Sequence, residues 1–236
     1  MNKIKSISLI GLFTAITIVL ANTIGFIQIG PIAITIMHLP VIIGAIMYGK
    51  GFGAVMGLIF GLISLIRSYL QGGPTAFIMM NPLISVLPRL VFGLLAGLIY
   101  EKISKINRNS LKIILLVLSI LSLGLTIFSA INIDRSKAYR AFIYLAIAIN
   151  IILVIYGLRS KEKEDLASPI TSLLSTACHS LLVLGSIYII YADKYIEILD
   201  KGIEAIILGT LINVVFEMLV SAITVPPVIK ALKKGV

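Results

Sequence analysis

The chain has 236 residues, 59% of them hydrophobic and 13% charged, with a mean hydropathy of +1.10. A soluble domain carries about 25% charged residues, so this sequence has too few polar groups to cover a globule facing water, and lipid must solvate much of its surface. A net charge of +10 would point a soluble protein toward nucleic acid; here Lys and Arg sit in short clusters between apolar runs, the pattern of orienting charge on a membrane protein.

The basic start, Met1 to Lys5, followed by an apolar run, has the outline of a signal peptide, but no A-x-A site closes the run and further apolar runs follow. The expectation is an uncleaved first helix. Between Lys5 and Lys50 there is no Asp, Glu, Lys or Arg, a length about twice a bilayer core, so two spans are expected, broken at Gly25, Gly30 and Pro31. Continuing along the chain gives eight apolar segments, near 6–23, 32–48, 52–68, 83–100, 111–131, 141–158, 167–191 and 204–228. The expected fold class is therefore all-α, a polytopic membrane helix bundle of about eight spans forming one structural domain.

Loop charge predicts the orientation. With the N-terminus inside, 13 Lys and Arg fall on the cytoplasmic side and 6 on the outer side, Arg89 lying within a span. Both termini are expected in the cytoplasm, although the cluster Arg135, Lys137 and Arg140 on the outer side runs against the count for the hairpin 111–158.

The third segment carries Gly53, Gly57 and Gly61 at four-residue spacing, one helix face on which another helix can approach closely. Gly11 and Ala15 make a similar pair on the first segment. The neighbour of each face is either in this chain or in another. Gly44 to Gly51 reads G-A-I-M-Y-G-K-G, close to a phosphate-binding loop, but Gly51 stands where Ser or Thr would hold magnesium and no strand precedes it. A tight turn between helices is the better reading. With no ATP site of its own, active transport would need a partner or an ion gradient.

Polar residues inside spans are costly and so mark function. They are His38, Arg67, Arg89, His179, Asn213 and Glu217, the last two at i and i+4 on one face, with Asn81 bracketing the start of the fourth segment. In the expected orientation His38, Arg67, Asn81 and Arg89 fall toward the outer leaflet, where they suit a pocket for an anionic or polar solute; snorkelling to the interface is the alternative for the two arginines. Glu217 would pair with Arg89, bind solute, or stay neutral and hydrogen-bonded. Segment 69–82, with Gly72, Gly73 and Pro74, is an outer loop that would serve either as a lid or as a plain connector. Two separated histidines make no metal site, the single Cys178 allows no disulfide within the chain, and no cofactor is expected.

Three stretches resemble the S components, the substrate-binding membrane subunits of energy-coupling-factor (ECF) vitamin transporters: His38-Leu-Pro-Val-Ile-Ile-Gly-Ala-Ile with Tyr48-Gly-Lys-Gly-Phe-Gly-Ala-Val-Met-Gly; Asn81-Pro-Leu-Ile-Ser-Val-Leu-Pro-Arg89 leading to Gly93-Leu-Leu-Ala-Gly97; and Leu208-Gly-Thr-Leu-Ile-Asn213-Val-Val-Phe-Glu217 ending in Val225-Pro-Pro-Val-Ile-Lys230. The resemblance covers about residues 1–105 and 165–235. It implies a six-helix vitamin-binding protein that captures its solute from outside. It also implies docking through the first three helices on a transmembrane T subunit coupled to two ATP-binding subunits. Gly11-Leu-Phe-Thr-Ala15 sits where the family carries an Ala-x-x-x-Ala docking motif, and Gly53, Gly57 and Gly61 are grouped with it as docking candidates. Residues 107–164 have no counterpart in a typical member. The expected organisation is therefore a six-helix core formed by residues 1–106 and 165–236, with a helical hairpin, residues 107–164, inserted between them. That hairpin would be either a peripheral spanning pair or half-embedded.

The His38 and Asn81 stretches look most like pantothenate-type members, and Arg67 and Arg89 suit a carboxylate. A non-enzymatic S component is the leading reading. A self-sufficient ion-coupled transporter using Glu217 and His179 is the alternative, and an intramembrane enzyme lacks a converging catalytic set. The rich Ile and Lys usage suggests an AT-rich bacterial genome, and so a bacterial cell membrane.

Overall fold

The computed structural model describes residues 3–23, 26–29, 32–72, 76–132, 137–199 and 203–234. In chain order the elements are α1 (Lys3–Asn22), β1 (Phe26–Ile29), β2 (Ile32–Thr35), α2 (Leu39–Tyr48), α3 (Lys50–Gln71), α4 (Ala76–Met79), α5 (Pro82–Ser85), α6 (Leu87–Ile103), α7 (Arg108–Asn132), α8 (Lys137–Arg159), α9 (Lys163–Leu199) and α10 (Ile203–Lys234). Among the described residues, seven helical stretches are long and apolar enough to cross a membrane: 4–22, 50–70, 82–103, 108–131, 140–159, 163–191 and 213–234. The chain is thus a polytopic helical membrane protein.

The second expected span is the exception. Segment 32–48 is not one helix: β1 and β2 pair as a small two-stranded sheet, and α2 begins only at Leu39 with Pro40 in its first turn. Proline lacks an N–H and is tolerated only there, so the helix cannot extend back through it. At 10 residues, α2 is about 15 Å long, half of a hydrocarbon core. Gly25, Gly30 and Pro31, the expected break, lie outside the described residues, as do Gly73, Pro74 and Arg135.

The chain forms two compact units interleaved in sequence. The first comprises Met1–Ile27, Thr35–Leu98 and Cys178–Asp200. In it α2 and α3 form a tight helical pair joined at Gly49, whose φ of +89° is a conformation that side-chain-bearing residues rarely adopt. The near-miss phosphate loop is therefore a helix–turn–helix. Phe13 of α1 packs edge-on against Tyr48 (6.2 Å) and Phe52 (5.7 Å), seating α1 on that pair.

The glycine row of α3 is used inside the unit. A Cβ on Gly53 would overlap the backbone of Gly93, one on Gly57 the carbonyl of Arg89, and one on Gly61 would come within 2.7 Å of the Val86 Cα. Gly97 is equally tight against the Lys50 backbone. These pairs run in opposite chain directions, so α3 and α6 lie antiparallel with their backbones in contact, the close approach that small residues permit. The neighbour of this face is therefore in the same chain, and Gly53, Gly57 and Gly61 are not free to dock a partner. Gly11 and Ala15 are different: both are exposed on α1, and a Cβ on Gly11 would meet nothing within 4 Å.

The second unit comprises Gln28–Ile34, Ile99–Ala177 and Lys201–Val236. Here α7 and α8 pair, and both pack on α10. Leu111 and Leu115 of α7, Ala146, Ile149 and Leu153 of α8, Ile170 and Leu173 of α9, and Val215 and Leu219 of α10 share one core. Within this unit one face of each hairpin helix is apolar and buried with the α9 and α10 residues. Both hairpin helices are long and apolar enough to cross a membrane. A polar seam joins them: Ser122 Oγ donates to Asn150 Oδ1 (2.5 Å), and Asn150 Nδ2 donates to the Ala146 carbonyl (3.0 Å). At the end of the pair, Arg108 donates to the Ser160 carbonyl (3.0 Å) and Lys112 to the Leu158 carbonyl (3.1 Å), covering carbonyls that α8 leaves unpaired. Lys233 meets Glu164 (2.5 Å) and Lys230 meets Asp165 (3.7 Å), tying the end of α10 to the start of α9; both pairs are solvent-accessible and contribute little to stability.

The glycine contacts make a direct prediction. Gly57→Ala overpacks the α3–α6 contact and is expected to cost about 1–3 kcal/mol, read as a lower Tm of the purified protein. Gly124→Ala, where a Cβ meets nothing within 4 Å, leaves Tm unchanged or higher. Equal melting of the two variants would contradict the backbone contact.

Candidate solute site

The site is built where the α3–α6 contact meets α2 and α9, all within the first unit. His38 stands at the N-terminal cap of α2 and is 1% exposed. His179 lies in α9 at 3% and Arg89 in the first turn of α6 at 6%. The two imidazoles stack, with centroids 5.8 Å apart and planes 17° from parallel. Phe92 approaches both rings, at 4.8 Å from His179 and 6.5 Å from His38. Phe60 of α3 closes the other side, 5.6 Å from His179, and the Arg89 guanidinium carbon lies 5.8 Å from the Phe60 centroid. That last geometry is a cation–π contact, worth about 0.5–2 kcal/mol depending on desolvation.

Sequence spacing explains the convergence. Phe60 is adjacent to Gly61 and Phe92 to Gly93, so the residues that bring α3 and α6 together also bring these rings alongside. Arg89 is itself the residue whose carbonyl faces Gly57. Its guanidinium is fixed from the other direction: Nη1 donates to the Ile84 carbonyl in α5, and Nη2 lies 3.9 Å from Met79 Sδ.

Neither ring nitrogen of His179 has a hydrogen-bond partner among the described residues. For His38, the Thr35 backbone lies near the ring without forming a full hydrogen bond. Buried polar atoms are normally satisfied, so His179 presents donor and acceptor capacity that a bound solute could use. Arg89 is close enough to act electrostatically on His179. A guanidinium takes a carboxylate bidentately, imidazole nitrogens suit hydroxyl or amide groups, and the aromatic walls strengthen both by lowering the local dielectric.

Asn81 sits beside this cluster through the backbone. Its Oδ1 accepts from the Leu83 N–H (3.0 Å), capping α5, and its Nδ2 donates to the Tyr191 hydroxyl (3.4 Å). Where segment 69–82 is described, α3 continues to Gln71, α4 packs toward Tyr191, and Asn81 reaches the Tyr191 hydroxyl. Arg67 lies seven residues after Phe60 on α3, two turns along the same face, and is half-buried.

The other two candidates belong to the second unit. Asn213 (3%) and Glu217 (6%) are buried on one face of α10 with Thr210 and Ser221, and neither stands unpartnered. Thr176 of α9 donates to Ser221 Oγ there (2.9 Å). Sequence reading missed Phe60, Phe92 and Tyr191, since an aromatic in an apolar run reads as core. It also missed the buried hydroxyls Thr171, Ser172, Ser175 and Thr176 on one stripe of α9, whose four-residue recurrence was a visible signal.

Residues 5–133 match the family model described as the ECF transporter, substrate-specific component. This chain belongs to that family. His38, Arg67, Asn81 and Arg89 lie inside the matched stretch; His179, Asn213 and Glu217 lie beyond it. The match also runs through α7, the first helix of the hairpin. Among characterised relatives, a pantothenic acid transporter, PanT, of Lactococcus lactis subsp. cremoris (strain MG1363) is 31% identical over 117 residues, covering 42% of this chain and 60% of the relative. A pantothenate transporter PanT of Leuconostoc mesenteroides subsp. mesenteroides is 32% identical over 108 residues, covering 43% of this chain and 53% of the relative. The S component thus spans a little over half the length of the curated relatives it matches.

Proposed function

We propose that this S component captures pantothenate from the outer side of a bacterial cell membrane and hands it to an ECF module, a T subunit with two ATP-binding subunits that supply the energy. The observation that carries the reading is Arg89: a buried guanidinium, anchored by the Ile84 carbonyl, beside Phe60 and a histidine pair. It lies in the stretch matched by the family, and the named relatives are pantothenate transporters. Pantothenate carries one carboxylate, an amide and two hydroxyls on a short aliphatic frame. Arg89 suits the carboxylate, with Arg67 as a second cation on the same side of α3, and His179 with His38 and Asn81 suits the hydroxyls or amide.

The orientation is included in the proposal. With segment 32–48 taken as a crossing despite its short helix, the Lys and Arg balance is 13 to 6, which favours cytoplasmic termini and the Arg89 end of α6 toward the outside. Docking on the T subunit is assigned to the exposed Gly11 and Ala15 of α1, now without the α3 glycines. The function is binding and delivery rather than catalysis.

Binding of a radiolabelled vitamin panel, led by pantothenate, to the purified chain tests the reading. High-affinity pantothenate binding without ATP-binding subunits or an ion gradient is the expected outcome. Uptake by the chain alone, driven by an ion gradient, would replace it with the self-sufficient transporter. Arg89→Gln is expected to weaken pantothenate binding about 10- to 100-fold, the range for a lost charge-assisted hydrogen bond, and Arg67→Gln less, because that side chain is only half-buried. Wild-type affinity in both variants would sink the carboxylate assignment. In a separate measurement, Gly11→Leu and Ala15→Leu should abolish co-purification with a T subunit while pantothenate binding persists; survival of the complex would remove α1 from the interface.

A further inference from the structure

Tyr191 has no proposed contact with the solute, yet it closes a chain of contacts that ends at Arg89. It lies where α9 leaves helical geometry, with φ −135° and ψ 25°. Its ring meets Phe77 edge-on at 5.5 Å, and it packs on a small core of Ile78, Ile84, Val183 and Ile187. Its hydroxyl accepts from Asn81 Nδ2 at 3.4 Å. Asn81 in turn organises α5 with several groups at once: Oδ1 accepts from the Leu83 N–H, and its main-chain carbonyl accepts from the N–H groups of Ile84 and Ser85 (each 3.0 Å) and from Ser85 Oγ (3.1 Å). The next carbonyl in line, that of Ile84, receives the Arg89 guanidinium.

Two independent features make this more than a packing contact. The segment 76–85 consists of two single helical turns, α4 and α5, too short to hold themselves, so their position depends on what they touch. On the α9 side that contact is Tyr191 with Val183 and Ile187. The anchor of Arg89 is a carbonyl of this same segment, so displacement of α5 displaces the guanidinium.

We propose that Tyr191 is a positioning residue that pins segment 76–85 through Phe77 and Asn81 and thereby sets Arg89 against the solute, governing how long a bound anion is retained. This rests on the assignment of Arg89 to the solute carboxylate. Dissociation is the step affected, because the pin acts on a group already engaged, whereas entry does not require its release.

The test uses the full-length purified chain. Tyr191→Phe keeps the ring and removes only the hydroxyl; Tyr191→Ala removes both. Tyr191→Phe is expected to raise the pantothenate dissociation rate about two- to tenfold, the range for one lost hydrogen bond, with little change in association rate or Tm. A double-mutant cycle with Arg89→Gln should be non-additive, the hydroxyl mattering far less once the guanidinium is gone. Equal effects of Tyr191→Phe in both backgrounds, or an unchanged dissociation rate, would overturn the proposal. A second arm needs no ligand: amide hydrogen exchange at Ile84 and Ser85 should accelerate in Tyr191→Phe and further in Tyr191→Ala, while that of α7 stays constant. If the wild-type chain binds no pantothenate, the functional reading falls and the exchange arm decides alone; unchanged exchange in both variants refutes the pin regardless of the solute.

Discussion

The contact between the backbones of α3 and α6 is the constraint from which the first unit follows. Gly53, Gly57 and Gly61 meet Gly93, Arg89 and Val86 with no room for a side chain. In lipid no hydrophobic drive pulls helices together, so close van der Waals approach of small residues does much of that work. With the helices in contact, Phe60 of α3 and Phe92 of α6 both lie against the His179 ring. Arg89 is then carried to a depth where its charge is buried and must be held by specific acceptors.

The site and the fold are therefore one arrangement. Arg89 uses its carbonyl side in the helix contact and its guanidinium in the site. His38 arrives because Pro40 sits in the first turn of α2, so the helix begins at Leu39 and leaves the histidine at the cap. His179 arrives from α9. The outcome is a buried cluster of two imidazoles and a guanidinium walled by the Phe60 and Phe92 rings, the place the proposed solute would occupy. The second unit has a different logic: the α7–α8 hairpin shares a core with α9 and α10 and is stitched by Ser122 and Asn150.

The sequence established the class of protein without the fold. Long uncharged runs compel membrane helices, since a backbone in hydrocarbon must satisfy itself internally. The glycine spacing marked a packing face, and the isolated His and Arg residues inside spans were candidates on grounds of cost, of which His38, His179 and Arg89 come together in the structure. The stretches around His38 and Asn81 to Arg89 carried the family resemblance, which the match over residues 5–133 supports.

Only tertiary structure decided which neighbour each marked face takes. The α3 glycines read the same whether the partner helix is in this chain or another, because a spacing defines a face and not its occupant. Segment 32–48 looked like one span since hydropathy does not register that a proline such as Pro40 is best accommodated in a helix's first turn. Phe60, Phe92 and Tyr191 were invisible as site residues, because an aromatic ring in an apolar run looks like lipid-facing or core packing until the polar groups around it are placed. Residue identity and spacing determined what each helix could do; the long-range contacts between helices determined which of those possibilities this protein uses.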